Sequence, residues 1–66
     1  MRLIFENSNG EERVIAEVDN IDEAFDEIDK FCDERDFKIY YTRQWRENNR
    51  TTFDVGSWSE FFHLED

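Results

Sequence analysis

The chain has 66 residues and carries 18 acids against 8 bases, a formal net charge of −10. One small domain is the limit at that length, burying only about 60% of the surface its unfolded chain would expose, and this excludes a catalytic domain joined to a regulatory one. A single Cys excludes an internal disulfide, one Cys with one His excludes an ordinary zinc site, and no apolar run approaches the roughly 20 residues that cross a bilayer.

High charge with few apolar residues is the signature of disorder, and here 39% of residues are charged. Eleven aromatics (seven Phe, two Tyr, two Trp), no Pro and only two Gly argue the other way. Because the apolar residues are also periodic, the chain is read as one folded domain over residues 1–66. Its N-terminus, Met1 to Gly10, does not read as a signal peptide.

In chain order, Arg2 to Glu6 predicts a first strand. Asn9-Gly10 then signals a hairpin, because both residues tolerate positive φ. The return strand is expected over Glu12 to Val18, with Val14, Ala16 and Val18 on one face and Ile15 on the other. Asn20 is a good N-cap, and Glu23 stands three places on, as in a capping box. Ile21, Ala24, Phe25, Ile28, Phe31 and Cys32 then fall on one helical stripe, which predicts a helix from about residue 21 to about 35. Phe37 to Trp45 alternates with period two, placing Phe37, Ile39 and Tyr41 on one face of a strand. Glu47-Asn48-Asn49-Arg50 is a polar turn. Thr51 to Val55 returns as a strand with Phe53 and Val55 facing one way. The tail is read as a further strand resuming at Phe61 after a bulge at Gly56. A short final helix capped by Ser57 and Glu60 is the alternative. The predicted fold class is α+β: ββαββ, with a possible fifth strand, one amphipathic helix packed on one face of an antiparallel sheet.

The charge is unevenly distributed. Residues 1–36 hold 13 acids and 4 bases, whereas residues 37–66 hold 5 and 4. On the helix, Asp22, Asp26, Asp29 and Asp33 form one ridge opposite the apolar stripe. Glu23, Glu27 and Glu34 form a second, interrupted by Lys30. Residues 21–36 span about 24 Å, and their eight acids give one carboxylate per ~3 Å, close to the ~3.4 Å phosphate spacing along one strand of B-DNA. Folding does not ask for this. Asp22–Asp26, Glu23–Glu27 and Asp29–Asp33 are like-charged i, i+4 pairs costing about 0.2–0.5 kcal/mol each, and Asp33, Glu34 and Asp36 oppose the helix dipole. The face reads either as a solvated surface that keeps a small protein soluble or as a docking surface for a basic partner.

Other chemistry is thinly represented. The sequence lacks a D-x-[DN]-x-[DN]-G calcium loop, and carboxylates on a helix face do not wrap an ion, so no metal and no cofactor are expected. Paired carboxylates on an exposed helix lack the cleft that acid–base catalysis needs. Cys32 reads as a buried small hydrophobe. His63, the one candidate base for it, reads as an ordinary surface histidine. Arg43, Trp45, Arg46 and Arg50 form a basic and aromatic tip. The net charge opposes nucleic-acid binding there, and a protein contact fits better. Ile4, Ile15 and Tyr40 should point away from the helix. With Trp58, Phe61, Phe62 and Leu64 they exceed what one helix can cover, so either the tail folds back over that face or two copies meet there.

The run Thr52-Phe53-Asp54-Val55-Gly56-Ser57-Trp58-Ser59-Glu60-Phe61-Phe62, with Tyr40-Tyr41-Thr42-Arg43 and the acidic helix before it, resembles small acidic proteins of phages and prophages of Gram-positive bacteria. The resemblance covers roughly residues 20–64 and brings no activity or functional residues with it. It implies a context in which small acidic proteins inhibit host defence nucleases, as anti-CRISPR or anti-restriction proteins do, by occupying a nucleic-acid groove.

Together these readings predict a non-enzymatic, cytoplasmic inhibitor, a DNA mimic. Its acidic face of Asp22, Glu23, Asp26, Glu27, Asp29, Asp33 and Glu34 would meet a basic host protein such as a nuclease, with Trp45 or Trp58 as an anchor. The rival reading is a homodimeric phage accessory or assembly protein, with Tyr40, Trp45, Trp58, Phe61 and Phe62 at its interface and the acidic face serving solubility alone. Neither reading involves a membrane or direct contact with nucleic acid.

Overall fold

The computed structural model describes residues 1–39, 42–56 and 59–66. In chain order it contains β1 (Arg2–Glu6), β2 (Glu12–Glu17), α1 (Ile21–Glu34), β3 (Arg43–Glu47), β4 (Arg50–Asp54) and β5 (Phe61–Glu65). The strands form one antiparallel sheet in the order β2-β1-β5-β4-β3, and α1 packs on one face of it. The fold is therefore α+β, with the tail as a fifth strand.

Local chemistry accounts for most of the element boundaries. In the first hairpin the Asn7 side chain accepts from the backbone N–H of Asn9 and of Glu11, and Gly10 N–H donates to the Asn7 carbonyl. Gly10 alone of the loop takes positive φ, at 80°. The loop thus turns on a single left-handed glycine rather than on an Asn-Gly pair. At the helix start, Asn20 is extended and its Oδ1 accepts from Glu23 N–H at 2.9 Å, while the Glu23 carboxylate reaches back to Asp19 N–H at 3.3 Å. The helix ends in a Schellman arrangement: Asp36 N–H donates to the Asp33 carbonyl and Phe37 N–H to the Cys32 carbonyl, with Asp36 at φ 54°.

The core joins Leu3, Val18, Ala24, Ile28, Phe31, Cys32, Phe53, Val55, Phe62 and Leu64. Its centre is aromatic. Phe31 lies 4.7 Å from Phe5 and 5.6 Å from Phe62, and Phe25 meets Phe53 edge-on at 5.2 Å. The helical stripe faces this core as expected, with Ile21 and Phe25 at its margin.

Three expectations need correction. The third strand begins at Arg43, not Phe37. After the Schellman turn Phe37 and Ile39 pack against the core without joining the sheet, so their alternation records burial, not strand pairing. Tyr40, Tyr41, Ser57 and Trp58 lie outside the described residues. In β2 the register slips between Leu3 and Ile4: Leu3 pairs with Ala16 and Ile4 with Val14. This inserts Ile15 as an extra residue and brings both Ile15 and Ala16 against the core, leaving Val14 exposed. Finally, Gly56 (φ 87°) lies in the β4–β5 connection rather than in a strand bulge, and its N–H donates to Asp54 Oδ1 at 2.9 Å. The alternative of a short final helix gives way to strand at Phe61–Glu65.

Candidate functional site

Two groupings of charged residues stand on opposite sides of the molecule. On the helix, Asp22, Asp26, Asp29, Asp33 and Glu34 are exposed and Glu23 and Glu27 are half-buried. Glu23 is partly engaged in the helix cap. The second ridge has basic neighbours, since Glu27 and Glu34 line a shallow depression together with Arg13, Lys30 and Arg35. Lys38 lines another beside Asp29, Asp33 and Asp36. The ion pairs of the sheet join bases to Glu6, Glu12, Asp54, Glu65 and Asp66 and not to the helix.

Most of the arginines are engaged elsewhere. Cross-strand partners share a face of a sheet, so the register places Arg2, Ile4 and Glu6 of β1, Glu12 and Val14 of β2, His63 and Glu65 of β5, Arg50 and Thr52 of β4, and Trp45 of β3 on the side away from the helix. Ion pairs cross that face. Arg50 bonds both oxygens of Glu12 at 3.0 Å and Glu65 at 2.6 Å, and Arg2 bonds Glu65 at 2.9 Å. Arg43 meets Asp54 at 3.2 Å. On the helix side, Arg46 pairs with Asp66 and donates to Thr51 Oγ1. The Arg50 guanidinium, through its hydrogen bonds first, holds the carboxyls of Glu12 and Glu65 below their ordinary range, and they in turn push the Arg50 pKa up. The basic tip expected from the sequence is thereby divided, each of its three arginines reaching a different carboxylate.

At the centre of the far face sits His63, only 7% exposed. Its Nδ1 lies 2.9 Å from Thr52 Oγ1 and its Nε2 2.8 Å from Glu6 Oε1. His63 is therefore a buried hub and not a surface histidine. Glu12 completes the grouping: one ligand atom each from Glu6, Glu12 and His63 fall within 4.8 Å of one another. Three strands deliver these residues from positions 6, 12 and 63, a spacing that matches no motif. Sequence reasoning could have found them only by knowing that β5 lies beside β1.

The aromatic candidates separate. Trp45 is 38% exposed on the edge strand β3, with the Arg43 guanidinium 5.8 Å from its ring centroid. Phe61 is half-buried, and Phe62 is fully buried against Phe5 and Phe31. Phe62 pairs in register with Phe5 and Phe53 on the helix side, so its ring is unavailable to a partner. Among the described residues the far face carries ion pairs beside Ile4, Val14, Trp45 and Phe61, with Ile4 buried, while Phe62 and Leu64 belong to the helix side. Cys32 lies in the core on the helix side of the sheet and His63 on the other, so they form no nucleophile–base pair. Burial first, then Asp29, Asp33 and Glu60, push the Cys32 thiol up to about 11, which keeps it protonated and unreactive.

Compared with protein-family models, curated proteins and solved structures, the chain matches none. No helix among the described residues is long and apolar enough to cross a membrane.

Proposed function

We propose that this is a non-enzymatic, phage-encoded inhibitor that lays its helix face on a basic groove of a host defence or nucleic-acid-processing protein. One observation carries the reading: Arg2, Arg43, Arg46 and Arg50 are tied to carboxylates of the strands and of Asp66, while Asp22, Asp26, Asp29 and Asp33 stand exposed along one ridge of the helix. A groove lined by Lys and Arg would supply the counter-charge, steer the encounter and select against acidic surfaces. Trp45 lies on the side of the sheet away from the helix, so it does not share the docking face and the charged ridge carries the contact by itself. The resemblance to small acidic phage proteins points the same way. The rival homodimer through an apolar sheet face has less support, because ion pairs occupy that face among the described residues and Phe62 belongs to the core.

The test compares the wild-type chain with the triple variant Asp26→Lys, Asp29→Lys, Asp33→Lys as baits in bacterial lysate. Wild type should retain a basic, nucleic-acid-binding protein at low salt and release it at high salt, since exposed charges are screened over about 8–10 Å near physiological ionic strength. The triple variant, with an unchanged circular dichroism spectrum, should retain nothing. Equal retention by both baits would remove the electrostatic mechanism.

A further inference from the structure

We infer that Glu6, Glu12 and His63 form a binding site for a first-row divalent metal ion, with zinc as the natural probe. The first argument is geometric. Three donors on one zinc ion at ordinary bond lengths stand about 3.4 Å apart. Here His63 Nε2 is 2.8 Å from Glu6 Oε1, and one donor atom from each of the three residues lies within 4.8 Å of the others, a spread that side-chain adjustment can close around an ion. The second argument is orientation. A ligating imidazole commonly donates its other N–H to a neighbouring oxygen, which fixes the ring and its tautomer. Thr52 Oγ1 stands 2.9 Å from Nδ1 and is itself buried, so it can accept that proton and leave the Nε2 lone pair facing Glu6 and Glu12.

The third argument is electrostatic. Glu6 and Glu12 are directly opposed in the β1–β2 register, a like-charged cross-strand pair that opposes sheet formation. A cation between them converts that repulsion into coordination. Arg50 does not exclude it. Arg50 bonds both Glu12 oxygens, so an ion takes one of them in exchange for one of those bonds, while Arg50 keeps the other and its bond to Glu65. One imidazole nitrogen with two carboxylates suits zinc or manganese better than calcium, which takes six to eight oxygens. The site lies on the face opposite the acidic helix and is independent of the partner proposed for that helix.

Isothermal titration of the metal-free chain with zinc chloride tests this, with the His63 ring resonances followed by NMR. The expected result is one zinc per chain with displaced His63 resonances, no comparable binding of calcium, and affinity reduced at least tenfold by Glu6→Gln and by Glu12→Gln. The variant Asp26→Asn, Asp29→Asn, Asp33→Asn should bind zinc as wild type does. Unmoved His63 resonances, undiminished affinity in Glu6→Gln, or loss of binding in the helix variant would each overturn the site.

Discussion

Arg50 shows how one side chain can organise a surface. It is 30% exposed and bonds Glu12 and Glu65, residues from two strands that are not its immediate neighbours in sequence. Both carboxyls have their pKa values depressed in the folded state, so their contribution is present above the ordinary value of 4.5 and is lost as pH falls through the depressed values. Arg50→Gln should therefore lower stability modestly at neutral pH, because solvent screens partly exposed pairs. The difference from wild type should shrink as pH drops below 4.5. Thermal melts of both proteins between pH 7 and pH 2 check this, and a difference that grows in acid would contradict it.

At the scale of elements, the helix is specified from both ends by short-range chemistry. Its C-terminal turn places Asp36, a residue with a Cβ, at φ 54°. The left-handed conformation costs an L-residue roughly 1–2 kcal/mol, and a carboxylate at a helix C-terminus opposes the dipole. Asp36→Gly relieves both at some cost in unfolded-chain entropy, and should stabilise the protein by about 0.5–1 kcal/mol. A lowered midpoint in urea would show that Asp36 makes a compensating interaction. The same turn explains why β3 starts late: Phe37 N–H is committed to the Cys32 carbonyl at 2.8 Å and its side chain packs under the helix end. Alternating apolar residues are shared by a strand and by an extended segment lying on a core, so Phe37 and Ile39 could not reveal which they were.

For the whole molecule the decisive strand is β5. It lies between β1 and β4 and joins the two hairpins into one sheet, with Phe62 and Leu64 directed into the core. Phe62→Ala should cost about 3–5 kcal/mol. A chain of this length has a total stability of about 3–10 kcal/mol at ~0.05–0.15 kcal/mol per residue. Urea titration should therefore find the midpoint lowered by a large fraction of its wild-type value, whereas retention of near-native stability would mean that the hairpins hold without their central strand.

The amino-acid order by itself determined the features that depend on neighbours a few positions apart: the first hairpin loop, the Asn20 cap, the apolar stripe, the opposing Asp ridge, and the burial of Phe53, Val55 and Cys32. These are read from spacing because cap geometry and the 3.6- and 2-residue periods are local properties of the backbone. Only the tertiary structure decided that Ile15 enters as an extra residue, that Phe62 is core, that Arg2, Arg43 and Arg50 pair on the face away from the helix, and that His63 meets Glu6 and Glu12. Each of those depends on which strand lies beside which. That choice is made by contacts across most of the chain, where sequence separation carries no geometric signal.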